Sequence, residues 1–118
     1  MARMRMTTVL LIDDHELIRQ GLAGAFGRAD TFEVVGQAGS VSEGLALAEQ
    51  LDPDVVVTDV RLPDGSGLDV VRALRRQSKE IGLVVLTMYA GDEQLFAAMD
   101  AGASGFVGKD APTSTVLS

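Results

Sequence analysis

The chain has no cysteine, no tryptophan, one histidine, one tyrosine and three prolines in 118 residues. Without thiols there are no disulfides, no thiolate metal centre and no cysteine nucleophile. A single imidazole excludes a zinc site built from several histidines. The apolar runs reach only about four or five residues, far short of the roughly 20 that a membrane span needs. Positive charge is also scarce: Lys and Arg number 10 against 17 Asp and Glu, a formal net charge of −7. That surplus repels phosphate backbones, which argues against direct nucleic-acid binding by this domain. Residues 1–6 have no long apolar stretch behind them, so they read as a short tail and not as a secretory signal.

What is present is enough for a core. Hydrophobic residues make up 47% of the chain and charged residues 23%, the balance of a globular protein. The length suits one domain, expected over residues 7–118 in a soluble, cytoplasmic protein. Five short apolar runs recur: Val9-Leu10-Leu11-Ile12, Phe32 to Val35, Val55-Val56-Val57, Leu83-Val84-Val85-Leu86 and Phe106-Val107. Such runs read as strands buried on both faces. Between them lie stripes at helical spacing: Ile18, Leu22 and Phe26; Val41, Leu45 and Ala48; Leu68, Val71 and Leu74; Leu95 and Met99. Ser40 or Ser42 caps the second helix, with Glu43 in capping-box position to Ser40. Asp52-Pro53-Asp54 ends that helix, and Pro63-Asp64-Gly65-Ser66-Gly67 is a loop before the third. Alternating strands and helices predict an α/β fold: a flavodoxin-like, doubly wound, five-stranded parallel sheet in the order 2-1-3-4-5, with helices on both faces. A last helix is expected to start near Pro112 and to be cut short by the end of the chain.

In such sheets ligands bind at the carboxyl ends of the strands, where the strand order reverses. Asp13 and Asp14 follow the first strand, Asp59 the third, Thr87 the fourth and Lys109 the fifth. The strand order puts Asp13, Asp14 and Asp59 on the two lips of one crevice. Two unit charges 4 Å apart repel by about 4 kcal/mol at an effective dielectric near 20. Either one carboxyl keeps a proton or a cation neutralises the group. An all-oxygen site with few protein ligands suits Mg²⁺, often completed by a phosphate. Lys109 would then pair with a carboxylate or a bound anion, and Thr87 would hydrogen-bond that anion. His15 reads as a capping or solvent-facing residue. Arg72, Arg75, Arg76 and Lys79 read as a solvated basic end of the third helix.

These residues together resemble a known family. Leu11-Ile12-Asp13-Asp14-His15, Val57-Thr58-Asp59-Val60-Arg61-Leu62-Pro63-Asp64-Gly65-Ser66-Gly67, Leu86-Thr87-Met88 and the stretch from Ala101 to Asp110 are similar to the receiver domain of two-component response regulators of the NarL/FixJ type. The resemblance implies that Asp59 is the phospho-acceptor. It implies that Asp13, Asp14, Asp59 and the backbone carbonyl of Arg61 hold Mg²⁺. Thr87 and Lys109 would bind the phosphoryl group, and Phe106 would be the switch aromatic on the last strand. It implies a sensor histidine kinase as phosphoryl donor, homodimer formation as an outcome of phosphorylation, and control of transcription through a DNA-binding domain outside these residues. The chain would act as a switch and not as an enzyme, beyond self-catalysed phosphoryl uptake and hydrolysis. Asp110 stands where many receivers have proline after the lysine, and Met88 where many keep a small residue.

Two other readings fit less well. A haloacid-dehalogenase-type phosphatase needs a second acid two residues after its nucleophile, where this chain has Arg61. A flavodoxin needs a hydroxyl-rich phosphate loop after the first strand, where Asp13-Asp14-His15-Glu16 would repel the phosphate.

Overall fold

The computed structural model describes residues 6–28, 31–78, 80–87 and 92–108, with backbone alone at 27, 87, 92–95 and 107–108. Thus Lys79, Met88, Tyr89, Lys109, Asp110 and the expected last helix lie outside the described residues, as does the Thr87 side chain.

The elements follow in the order β1 (Thr7–Ile12), α1 (Glu16–Arg28), β2 (Phe32–Ala38), α2 (Val41–Leu51), β3 (Val55–Asp59), β4 (Arg61–Leu62), β5 (Gly65–Ser66), α3 (Gly67–Gln77), β6 (Gly82–Thr87), α4 (Asp92–Ala101) and β7 (Gly105–Gly108). Five of the strands form one parallel sheet in the order β2-β1-β3-β6-β7. This is the predicted 2-1-3-4-5 arrangement, since β4 and β5 pair only with each other. The sequence showed that small antiparallel ribbon only as a loop.

The pleat sends alternate side chains to opposite faces, which is why the strand sequences are apolar throughout. Leu10, Ile12, Val56, Leu83 and Val85 face a core closed by Ala48 of α2, Val70, Val71 and Leu74 of α3, and Ala98 and Ala101 of α4. Val9, Leu11, Val57 and Leu86 face the other way, onto Leu22 and Phe26 of α1. Phe26 meets Phe32 edge to face, with ring centroids 5.3 Å apart. Each Val or Leu buried in this way contributes about 1.5–3 kcal/mol.

The stripe expected on α4 is corrected. Met99 is half exposed, and among the described side chains Ala98 and Ala101 are turned inward; the Leu95 side chain lies outside the described residues. Phe96, 71% exposed, faces away from the core.

Helix starts are fixed by side chains. Ser40 caps α2, its hydroxyl accepting the Glu43 N–H at 3.2 Å. The Glu43 carboxylate reaches one residue further back than expected, to the Gly39 N–H at 2.9 Å. Ser66 caps α3 in a capping box with Asp69. A second cap on α2 comes from far along the chain: Asp64, in the β4–β5 turn, accepts the Val41 N–H at 2.7 Å and the Ser42 N–H at 3.0 Å. These two N–H groups, Val41 first, hold the Asp64 carboxyl below the usual carboxylate range. A group that titrates lower when folded stabilises the fold above its unfolded pKa, and the effect is lost as the pH falls. Asp64→Ala should therefore lower the melting temperature at neutral pH. The gap to the unaltered chain should shrink as the pH falls through about 4, measured by thermal denaturation across a pH series.

The reading of α3's basic end as wholly solvated is corrected at Arg75. Its guanidinium donates to the carbonyls of Gly102 (2.8 Å) and Ile81 (2.8 Å) and to the Ser104 hydroxyl (3.1 Å). Ser104 in turn is bonded to Leu83 through both backbone and hydroxyl. Arg75 thus ties the end of α3 to the loop that enters β7. Charged hydrogen bonds of this kind contribute more than neutral ones, so Arg75→Ala should cost about 2 kcal/mol in a urea unfolding curve. Arg75→Lys should recover only part of it, because an ammonium cannot reproduce the planar fork.

Candidate functional site

Parallel pairing sets the site. Ile12 lies opposite Thr58 in the β1–β3 register, so the next residues, Asp13 and Asp59, leave the sheet side by side. Asp13 is anchored by its N–H to the Ala38 carbonyl at 2.9 Å. The residue is only 1% exposed, and Asp59 is 4% exposed. Asp14 is more open, with a side chain 36% exposed. The Asp59 end of β3 is held by neighbours: Thr58 Oγ1 donates to the Asp59 carbonyl at 3.0 Å, Val60 N–H donates to Leu86 at 3.1 Å, and Gly67 N–H donates to Val60 at 2.7 Å.

His15 keeps the solvent-facing position expected of it, its side chain 57% exposed. Its backbone N–H donates to Asp13 Oδ1 at 2.8 Å. Its ring nitrogen at the same time lies beside the carboxylates. Nδ1 stands 3.0 Å from Asp13 Oδ1, 3.1 Å from Asp14 Oδ1 and 3.8 Å from Asp59 Oδ2. One donor atom from each of Asp13, Asp14, His15 and Asp59 lies within 4.8 Å of the others. The signal in the sequence was adjacency: a residue directly after two crevice carboxylates, at the turn into α1, has little choice but to sit beside them.

The other expected residues fall as follows. Arg61 leaves the crevice two residues after Asp59 and opens the small ribbon, its strand paired to Ser66. Thr87 ends β6, opposite Gly108 of β7. Phe106 lies on the edge strand β7, half-buried against the α2–α4 side of the core and outside the carboxylate cluster. Lys109 follows β7 immediately in sequence.

The donor set fits a small divalent cation. Three carboxylates concentrated on one side of a sheet edge are what a hard cation needs. Two of them are nearly withdrawn from water, where like charges repel most strongly.

A doubly wound parallel sheet with an acidic crevice at the carboxyl ends of β1 and β3 defines a flavodoxin-like α/β domain. The chain belongs to the response regulator receiver domain family, whose family model matches residues 9–118; its relatives are of the NarL type. It is 46% identical over 105 residues to the DNA-binding transcriptional activator DevR/DosR of Mycobacterium tuberculosis, covering 89% of this chain and 48% of that protein. The chain thus spans about half the length of such relatives. It superposes on the signal receiver domain of the response regulator NarL from Mycobacterium tuberculosis with a TM-score of 0.89 at 28% identity, covering 96% of this chain and 94% of that one. A Burkholderia pseudomallei response regulator, crystallised with a phosphorylated aspartic acid, calcium ion and citrate, matches with a TM-score of 0.85 at 29% identity over 94% of this chain and 64% of its own.

Proposed function

We propose that this domain is a phosphorylation switch in which Asp59 accepts a phosphoryl group from a sensor histidine kinase. The observation that carries this reading is the pairing of Asp59 with Asp13 and Asp14 across one crevice. The Burkholderia relative with its phosphorylated aspartate and calcium ion lends support.

The residues divide the work. An Asp59 carboxylate oxygen attacks phosphorus in line; the oxygen–phosphorus bond forms as the bond to the donor's imidazole nitrogen breaks, and that nitrogen leaves with the electron pair. Asp13, Asp14, Asp59 and the Arg61 carbonyl hold Mg²⁺, which when bound supplies positive charge to the phosphoryl oxygens. Lys109 pairs with the same oxygens, and the Thr87 hydroxyl donates to one of them. Burial of Asp59 keeps competing water from the carboxyl. The acyl phosphate adds about −1.5 to −2 charge to a confined site. That charge draws Thr87 inward, and Phe106, half-buried two strands away, turns into the space released. The segment from β6 into α4 is the two-state element. Its altered face is the output, passed to a DNA-binding domain carried outside these residues to regulate transcription; the activator among the relatives supports that assignment.

The test is direct. The protein is incubated with Mg²⁺ and acetyl phosphate, its intact mass is measured, and the modified residue is mapped. One phosphoryl group on Asp59 is expected. No uptake, or uptake on another residue, overturns the reading.

A further inference from the structure

The two lips of the crevice are joined a second time, outside the sheet. One lip is the Asp13 end of β1, whose N–H donates to the Ala38 carbonyl at 2.9 Å. Ala38 ends β2, and α2 starts shortly after it at Val41. The other lip is the Asp59 end of β3, followed at once by the loop of residues 60–67. That loop is closed at its base by the Gly67 N–H, which donates to the Val60 carbonyl at 2.7 Å. Farther out, the β4–β5 ribbon pairs Arg61 with Ser66 and Leu62 with Gly65. So short a ribbon has little stability of its own. Leu62, buried in the core, holds one side of it. Asp64 stands at the tip and holds the other: its Oδ1 accepts the Val41 N–H at 2.7 Å and its Oδ2 the Ser42 N–H at 3.0 Å. Every helix start presents such donors, met here by both oxygens of a carboxylate. Asp64 lies 23 residues from Val41, so the contact joins two loops as well as capping α2, which Ser40 already caps. The path from Asp13 through Ala38, Val41 and Asp64 to Arg61 and Asp59 closes a ring around the acidic crevice.

We infer that Asp64 is a positioning residue for the cation site: by latching the 60–67 loop to the start of α2, it fixes the spacing of the two lips and the aim of the Arg61 carbonyl, and so sets the affinity for Mg²⁺. This inference rests on the cation site proposed above. Mg²⁺ demands near-ideal octahedral geometry and tolerates a misplaced ligand poorly. A ring closed before the ion arrives spares the cost of ordering the loop at the moment of binding. The coupling runs both ways: whatever the latch adds to Mg²⁺ affinity, bound Mg²⁺ returns to the latch. The start of α2 thereby registers whether the crevice is filled, although Asp64 lies outside the carboxylate cluster.

Magnesium chloride is titrated into the full chain and into three variants, with binding read from backbone amide NMR shifts. Asp64→Ala removes the latch and Asp64→Asn keeps one acceptor oxygen. Ser40→Ala removes the other cap of α2 and leaves the latch in place. The apparent Kd for Mg²⁺ should rise at least about fivefold in Asp64→Ala, by less in Asp64→Asn, and not at all in Ser40→Ala. Phosphorylation by acetyl phosphate should follow: Asp64→Ala reaches its half-maximal rate at a correspondingly higher Mg²⁺ concentration, while its rate at saturating Mg²⁺ is kept. In the unaltered chain Mg²⁺ should slow hydrogen exchange at the Val41 and Ser42 amides, and in Asp64→Ala it should not. Asp64→Asn and the exchange rates of the unaltered chain decide the matter if Asp64→Ala does not fold. An unchanged Kd in the Asp64 variants, an equal loss in Ser40→Ala, or exchange at Val41 and Ser42 indifferent to Mg²⁺ overturns the inference. If the unaltered chain binds Mg²⁺ and takes up a phosphoryl group on Asp59 through those results, the receiver reading stands and only the latch is lost. If it does neither, the receiver reading fails as well.

Discussion

Asp59→Asn should abolish phosphoryl uptake while leaving the fold in place. The amide is close in size to the carboxyl, so the packing around it at the end of β3 is little disturbed. The anchors of that strand end, the Thr58 Oγ1 bond to the Asp59 carbonyl and the Val60 bond to Leu86, use backbone at the site and not the Asp59 side chain. An amide is no nucleophile for phosphorus and carries no charge for a cation. Loss of one of three carboxylates also relieves repulsion in a crevice where Asp13 and Asp59 are nearly withdrawn from water. At an effective dielectric near 20, a pair of unit charges 4 Å apart repels by about 4 kcal/mol. Without a bound cation the variant should therefore melt no lower than the unaltered chain. The two measurements are intact mass after acetyl phosphate, with no increment expected, and thermal unfolding, with an equal or higher midpoint expected. A phosphorylated variant would remove Asp59 from the central role.

The strands and the crevice were legible in the sequence because two rules act there without competition. Unbroken apolar runs such as Leu83-Val84-Val85-Leu86 can only be strands covered on both faces. The doubly wound order then brings the residues after β1 and β3 together, as the Ile12–Thr58 register shows. Where several local solutions cost about the same, the sequence was silent or misleading. On α4, Met99 and Ala98 belong to neighbouring stripes of one helix, and hydropathy favours the larger residue. The structure buries Ala98 in the core that α2, α3 and the sheet share with α4, a fact about several elements at once. Arg75 reads as a solvated residue, and beside the nearby Ile81 carbonyl its guanidinium binds Gly102 and Ser104, which arrive from far along the chain. His15 faces solvent as expected, its side chain 57% exposed, and its Nδ1 still reaches Asp13 and Asp14. A solvent-facing position and contact with the carboxylates are compatible in that residue, so the first did not exclude the second.

Gly67→Ala should damage both stability and phosphoryl uptake, because α3 begins against the backbone of Asp59, the proposed phospho-acceptor. A methyl group built on Gly67 overlaps the Asp59 carbonyl oxygen and comes within 2.9 Å of Thr58 Oγ1. Both neighbours are main chain or buried side chain, so no flexible tip can swing aside. The strain must be relieved by moving α3 away from β3 or by rotating the Asp59 peptide. The first course opens the core at Val70, Val71 and Leu74, all buried by α3. The second breaks the Thr58 Oγ1 bond and re-aims the carboxylate. Overpacking of a rigid site costs about 1–3 kcal/mol and sometimes more; with no compliant atom here, a loss of about 3 kcal/mol is expected in urea unfolding. Displacing a reacting group by about 1 Å can cost on the order of a hundredfold in rate, so Asp59 should be phosphorylated at least about tenfold more slowly at temperatures where the variant is folded. Gly44→Ala provides the contrast. There the added methyl meets side-chain atoms of Ile12, the Cδ1 tip first, and no backbone of Asp59. It should cost stability with little change in phosphorylation rate. Equal effects of the two substitutions on that rate would show that contact between α3 and the Asp59 backbone does not position the nucleophile.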